Sequence, residues 1–361
     1  MKILQAIYQF KSGGGALKVA ADLALAGRAA GHAVSFLARD TPVATAAGAV
    51  RFFTGNKLRD WWQLTQTCRR EHYDIVHVHD RYCSLLVSLL PVAPASVQTN
   101  HIAYHTHRRL TRFADVVVGC SLAMDRHHAE FFGLPPERRA LILNGVQFRE
   151  PSLDALAALR AALPRTFAGR RLCLTVARLA PQKGHVYLLE AIARLDPALR
   201  AGWGFVFAGD GELMGELTAQ AEKLGIAAAI HFLGHTEAVS EWLALSDAFV
   251  LPSLFEGLPL ALLEAMAAER ACLATAIDGN TEVIEAERNG LLCRVKDATD
   301  LSCQLARLLS DAPLRERLAR QARLDYCRLW TFERTWQQYE ALYYRLARIP
   351  QLEPSRVNLS P

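Results

Sequence analysis

The sequence predicts an α/β protein made of two doubly wound parallel-sheet domains facing one another across a cleft. At 361 residues the chain exceeds what one compact core usually supports, so two domains are expected. Hydrophobic residues make up 51% and charged residues 21%, which supplies a large core and excludes global disorder. Short apolar, β-branched runs alternate with helical patterns along most of the chain, and that alternation calls for parallel sheets with crossover helices.

The first series offers strands at 2–8 (KILQAIY), 33–38, 49–53, 74–79 (DIVHVH), 95–99, 115–119 and 140–143. Helical patterns at 16–30 (ALKVAADLALAGRAA) and 121–132 lie between them. The second series offers strands at 172–177, 205–208, 230–233, 248–251 and 271–275, with helical patterns at 185–195, 212–224 and 259–268. After residue 299 the pattern is helical, ending with 312–328 and 331–347. Residues 145–170 hold two prolines and a polar break, and read as a linker. The expected domains are therefore 1–150 and 151–330, with a helix and tail at 331–361 packing back on the first domain. The tail from Pro350 is expected to fray.

Composition narrows the function classes. No apolar run approaches the roughly 18 residues that span a bilayer, and MKILQAIYQFK is too short and too soon interrupted for a secretory signal. The eight cysteines contain no Cys-x-x-Cys pair, which favours reduced, packed thiols over a disulfide framework or zinc knuckle. A cytoplasmic protein is expected. Residues 1–150 carry 18 Lys+Arg against 11 Asp+Glu, whereas residues 151–361 carry 23 against 25. A basic half beside a near-neutral half points to an anionic partner, or simply to a solvated basic surface. No basic run interleaved with aromatics supports nucleic acid as that partner.

In open α/β sheets ligands sit beyond the carboxyl ends of the strands, so strand ends are where chemistry is sought. The most informative segment is 246–266, SDAFVLPSLFEGLPLALLEAM. A strand meets Pro252 and Ser253, then Glu256 and Gly257, and Pro259 opens a helix that carries Glu264. Free N–H groups in the first turn of that helix, with its dipole, would make an anion site. An ordinary helix start with one acid off its polar face is the plainer alternative. His77, His79 and Asp80 could be metal ligands, but alternation along a strand explains the two histidines equally.

The two glutamates of EGLPLALLE, within SDAFVLPS-x-x-EG-x-P-x-x-x-LEAMA, resemble the signature of the retaining glycosyltransferases of family 4, which have the GT-B fold. TVARLAPQKG, FVFAGDGE and IHFLGH resemble that family's successive strands and turns in the same half. SGGGALKVAADLALAGRAAGHAV, DIVHVHD, QTNH and LNGV resemble segments of its acceptor domain, so that the likeness spans residues 1–345. The chain departs from the family at Asp278-Gly279-Asn280-Thr281-Glu282, at Glu269-Arg270-Ala271 and at Gln147. The first departure lies near the expected donor sugar and bears on donor identity.

The resemblance implies an enzyme that moves a sugar from a nucleoside diphosphate to a glycan or glycolipid acceptor, such as lipopolysaccharide core or capsule. Transfer requires stabilising the diphosphate that leaves. No Asp-x-Asp motif occurs, so no metal and no other cofactor is expected, and cations must take over. Arg178 grips phosphate oxygens through its planar fork and Lys183 supplies a point charge. By the same resemblance Glu256 holds hydroxyls of the donor sugar, Glu264 holds the ribose, and Gly257, Leu258 and Leu260 meet sugar and phosphate through their backbone. Gly13, Gly14 and Gly15 are expected to approach the donor phosphates or the acceptor, Gly209 is expected at the donor, and His101 is expected to point at the reacting sugar. The cluster His105-Thr106-His107-Arg108-Arg109-Leu110-Thr111-Arg112 suggests an anionic acceptor, or docking on the inner membrane face. A nucleotide-sugar epimerase on the same double fold and a non-catalytic sugar-binding protein are the alternatives. A glycoside hydrolase has no use for a phosphate clamp.

Overall fold

The alternation in the sequence resolves into two all-parallel sheets in the computed structural model, which describes residues 1–8, 15–39, 49–91, 94–102, 104, 106, 108 and 110–348. The chain divides into two units, Met1–Leu143 with Arg334–Pro361, and Asn144–Glu333.

The first unit begins with β1 (Lys2–Ile7), α1 (Gly15–Ala29), β2 (Ala33–Ala38), β3 (Ala49–Arg51) and α2 (Lys57–Glu71). It continues with β4 (Ile75–Val78), α3 (Arg81–Val87), β5 (Ala95–Asn100), β6 (Val116–Gly119), α4 (Leu122–Glu130) and β7 (Arg139–Leu141). The strands lie in the order β3-β2-β1-β4-β5-β6-β7. The chain thus winds one way from β1 to β3 and the other way from β4 to β7, which puts a topological switch between β1 and β4. Both sheet faces are covered by apolar side chains: Leu4, Leu64, Val76 and Leu86 pack in one cluster, and Leu17, Ala24 and Phe36 in another. Helix ends follow local chemistry. Asn56, Asp80 and Ser121 each accept a backbone N–H as N-caps of α2, α3 and α4.

The second unit contains α5 (Leu153–Ala162), β8 (Arg171–Val176), α6 (His185–Arg194), α7 (Pro197–Ala201), β9 (Trp203–Ala208) and α8 (Met214–Lys223). β10 (Ile230–Gly234), α9 (Val239–Leu245), β11 (Ala248–Leu251), α10 (Leu260–Ala267), β12 (Ala271–Thr275) and α11 (Asp278–Thr281) follow. β13 (Leu291–Cys293), α12 (Ala298–Ser310) and α13 (Ala312–Leu329) complete it. Here the order is β10-β9-β8-β11-β12-β13, with the switch between β8 and β11. Its core gathers Leu189, Ile192, Phe207, Val250, Leu273 and Leu305, all nearly or wholly buried.

Helix α14 (Phe332–Ala347) belongs to the first unit from Arg334 on. There Tyr339 and Tyr343, one helical turn apart, are fully buried beneath β4 and β5. Near its start the Thr335 hydroxyl donates to the Leu143 carbonyl.

Two expectations need correction. The stretch read as a linker is structured: Ser152 caps α5, the helix lies against α9, and Val146 bridges Thr331 in parallel register. Pro151 and Pro164 bracket α5 rather than break it, because proline is excluded only from a helix interior. Pro259 is the N-cap residue of α10, so the helix opens at Leu260, one residue later than the sequence reading.

Candidate active site

At the β8/β11 switch two loops leave the sheet side by side. After β8 the chain runs through Ala177 and Arg178 into a 3-10 turn, Pro181–Lys183. After β11 it runs through Pro252 and Ser253 to Glu256. The Leu254 N–H donates to the Gln182 carbonyl at 2.8 Å and ties the loops together. Gly184 makes that approach feasible: its φ is +66°, and a Cβ there would lie 2.0 Å from the Pro252 carbonyl oxygen.

The side chains then meet. Lys183 Nζ donates to Glu256 Oε1 at 2.6 Å, and Ser253 Oγ donates to the same oxygen at 2.6 Å. The two charged side chains are 18% and 11% exposed, so the pair is largely withdrawn from water yet still reachable. One carboxylate oxygen accepts both bonds, which leaves the other, among the described residues, as an open acceptor. The Lys183 ammonium has three N–H bonds and spends one here. Arg178 is half-buried. Among the described residues its guanidinium makes no hydrogen bond or ion pair.

Behind this pair lies a support that sequence reasoning missed. The Thr275 hydroxyl, at the end of β12, donates to the Ser253 carbonyl. Asn280, fully buried in α11, donates from Nδ2 to the Thr275 carbonyl at 2.9 Å and to its hydroxyl at 3.2 Å. Gly279 presses on the glutamate loop so closely that a Cβ would stand 2.8 Å from the Glu256 carbonyl oxygen. The departure noted at 278–282 is therefore packed directly against Glu256 and Gly257. His185 performs a matching task for the other loop. Its Nε2–H donates to the Arg178 carbonyl at 3.2 Å. Burial holds its imidazole pKa down to about 4, against the pull of that bond and with help from repulsion by Lys183.

The remaining expected residues fall as follows. Leu258 is buried and Leu260 begins α10, whose first turn has no side-chain cap; the Leu262 N–H donates to the Pro259 carbonyl, which leaves those of Leu260 and Ala261 as the open donors of the helix start among the described residues. Glu264 is half-buried in α10 between Leu263 and Ala265, both fully buried. Gly209 follows β9, its N–H donating to the Gly234 carbonyl at 2.8 Å. Gly15 is the first residue of α1. Gly13 and Gly14, with His105, His107 and Arg109, lie outside the described residues.

His101 belongs to the first unit, one residue beyond β5. Its Nε2 stands 3.2 Å from His79 Nδ1, and the two rings stack at 5.4 Å. His79 Nε2 meets Gln5 Oε1 at 2.7 Å, and Gln5 Nε2 donates to the Tyr343 hydroxyl at 3.3 Å. His77 lies between the hydroxyls of Tyr343 and Thr99, at 2.7 and 2.8 Å. Burial lowers all three imidazole pKa values: His101 to about 4, and His77 and His79 well below the ordinary value, with added repulsion among the rings. All four nitrogens of His77 and His79 are thus taken by hydrogen-bond partners, and Asp80 accepts the Tyr8 and Cys83 N–H groups. His77 and His79 are members of a hydrogen-bonded network, and Asp80 caps α3.

Comparison with known proteins agrees with this architecture. Residues 13–150 match the family model described as Glycosyltransferase Family 4, and residues 164–325 match that of Glycosyl transferases group 1. A UDP-Gal:alpha-D-GlcNAc-diphosphoundecaprenol alpha-1,3-galactosyltransferase from Escherichia coli is 29% identical over 276 residues, 70% of either chain. A Campylobacter jejuni alpha-1,4-N-acetyl-D-galactosaminyltransferase acting on a PP-undecaprenol-linked saccharide is 33% identical over 189 residues. That match covers 52% of this chain and 49% of the relative. Among solved structures, Anabaena HepE in complex with UDP and glucose superimposes with a TM-score of 0.82 at 20% identity. The superposition covers 96% of this chain and 100% of that one. With one family model on each unit and a shared fold over nearly its whole length, the chain belongs to the family 4 glycosyltransferases of GT-B fold.

Proposed function

We propose that the protein transfers a sugar from a nucleoside diphosphate to a lipid-linked or cell-surface glycan, with retention at the anomeric carbon and without a metal ion. The observation that carries this reading is the Lys183–Glu256 pair at the β8/β11 switch, with Arg178, which has no ion pair among the described residues, in the same loop after β8. A sugar diphosphate needs hydroxyl acceptors at one end and positive charge at the other. The open oxygen of Glu256 serves sugar hydroxyls, and the two remaining N–H bonds of Lys183 serve phosphate. Since the charge of Lys183 is balanced by Glu256, Arg178, without an ion pair among the described residues, brings the further positive charge. The backbone N–H groups of Gly257 and Leu258 before α10 and of Leu260 at its start serve as donors, and Glu264 takes the ribose hydroxyls. Gly13, Gly14, Gly15 and Gly209 let backbone approach the donor.

In this reading the second unit holds the donor and the first unit the acceptor. As the glycosidic bond breaks, negative charge gathers on the leaving phosphate, and Arg178 and Lys183 stabilise it. That phosphate takes the proton of the acceptor hydroxyl attacking from the same face, which retains configuration. His101 hydrogen-bonds the reacting sugar.

The donor class and acceptor class draw on relatives. The Escherichia coli relative is named for UDP-Gal and both bacterial relatives for undecaprenol-linked diphosphates. A lipid-linked acceptor requires access to a membrane surface. No helix among the described residues is long and apolar enough to cross one. The first unit does expose Leu58 and Trp62 on one face of α2, at 81% and 58%, next to Lys57 and Arg59. Arg81, Arg112 and Lys57 also line a shallow pocket with Leu110. Apolar side chains set among cations suit an anionic lipid surface.

The test is a thermal-shift screen over UDP-, GDP- and ADP-sugars in the presence of EDTA. A ligand selective for the folded state raises its stability by mass action. One nucleotide class should stabilise the protein with EDTA present. Absence of any nucleotide response would remove the reading, and a response abolished by EDTA would remove its metal-free part. Flotation with anionic liposomes at low salt tests docking, and failure to co-float removes the membrane surface.

A further inference from the structure

The first unit buries a chain of polar groups of which only the end member, His101, is used in the reading above. It runs from His101 through His79, Gln5, Tyr343, His77 and Thr99 to Tyr339, linked at every joint by 2.7–3.3 Å. Apart from the half-buried His101, each member is at most 2% exposed. Buried polar groups of this kind must be satisfied in a consistent direction, because each neutral imidazole has one donor and one acceptor nitrogen.

The direction can be worked out from Gln5. Its Nε2 faces Tyr343 and its Oε1 faces His79. A carbonyl oxygen only accepts, so His79 Nε2 carries the proton. His79 is neutral, burial having lowered its pKa well below the ordinary value, so its Nδ1 is bare. His101 Nε2 must then donate to it. The same logic runs down the other arm: Tyr343 accepts from Gln5 and donates to His77 Nδ1, and His77 Nε2–H donates to Thr99. His101 Nδ1 is left bare, with no hydrogen-bond partner among the described residues.

We propose that Gln5 and His79 are positioning residues that hold the His101 imidazole with its proton on Nε2, leaving Nδ1 as a hydrogen-bond acceptor for a hydroxyl of the bound sugar or acceptor. This rests on the reading above that His101 meets the reacting sugar. The histidine reaches its ligand as an acceptor rather than as a cation. Burial supports that, since an imidazole held near pKa 4 stays neutral around neutral pH.

The experiment is long-range proton–nitrogen correlation NMR on the full chain labelled with 15N-histidine, with His101 assigned by loss of its signals in His101→Gln. Protonated and bare ring nitrogens resonate far apart, so the tautomer is read directly. The wild type should show His101 with Nε2 protonated and Nδ1 bare. His79→Leu should release that preference and lower kcat by about tenfold with donor Kd nearly unchanged, as expected for loss of one oriented hydrogen bond. His79→Gln, whose amide accepts from His101 and donates to Gln5, should restore both the tautomer and most of the turnover. A wild-type His101 protonated on Nδ1 would mean that the Gln5 amide and every bond run the other way, and would overturn the proposal. So would an unchanged tautomer in a folded His79→Leu variant. Should that variant not fold, the wild-type spectrum and His79→Gln still decide. If the tautomer is as stated but His101→Gln retains full turnover, the catalytic reading of His101 falls while the tautomer assignment stands.

Discussion

At the β8/β11 edge of the second unit, Lys183 and Glu256 sit as a charged pair with some access to solvent. At the β4/β5 edge of the first unit, His77, His79 and His101 sit as neutral rings among hydroxyls and one amide. The two edges solve the same problem of placing polar groups at a strand end in different ways. Charge survives where opposite signs meet and a polar ligand can still reach them. Where burial is nearly complete, the imidazoles give up the proton and hydrogen bonding alone sets their direction. One edge is suited to anion recognition and the other to orienting hydroxyls.

The contrast can be broken most severely at Lys183. Lys183→Ala should lower kcat/KM on the order of 10²-fold or more, because a cation at a developing charge acts mainly in the transition state. It should leave the His101 tautomer untouched. Unchanged turnover in a folded variant would take Lys183 off the diphosphate. Next in size is Asn280→Ala, which strips the Thr275 carbonyl and hydroxyl of their buried donor. Chemical denaturation should show a loss of about 1–3 kcal/mol, and a loss too small to measure would mean that α11 does not brace the Glu256 loop. Glu264→Ala should weaken nucleotide binding by about tenfold, the scale of one charged hydrogen bond. An unchanged donor Kd would remove Glu264 from the ribose.

The smallest effect sharpens the neutral side. His101 and His185 titrate near 4 when folded and near the ordinary histidine value of about 6.5 when unfolded. Between those limits the unfolded chain binds more protons, so stability rises with pH through the window and is lost as pH falls from about 6.5 toward 4. The denaturation midpoint should therefore decline from pH 7 to pH 5, and His185→Asn should flatten the decline. An identical slope in that variant would show that His185 is not buried neutral.

Much of this was legible in the residues. AFVL at 248–251 and TVARLAPQKG carry the switch-point strands and their loops, and β-branched runs with helical neighbours mark a parallel sheet. What escaped were short or long-range features. The strand LLC at 291–293 and the turn of helix at DGNT are too short for any periodicity to register. Pro151 and Pro164 read as a linker because proline marks a boundary without saying which side of it is helical. The partnership of Lys183 with Glu256 joins residues 73 apart in sequence, and that of His77 with Tyr343 joins residues 266 apart. The tyrosines stand at helical spacing in α14, which shows that they share a face but not what that face meets.

The measurement that bears most directly on the central claim is calorimetric titration of the wild type and of Arg178→Ala/Lys183→Ala with UDP, GDP and ADP in EDTA. The account predicts that one of these nucleoside diphosphates binds the wild type without a divalent ion, and that the double variant, folded to the same degree, binds it at least tenfold more weakly. Equal affinity in the two proteins would contradict it.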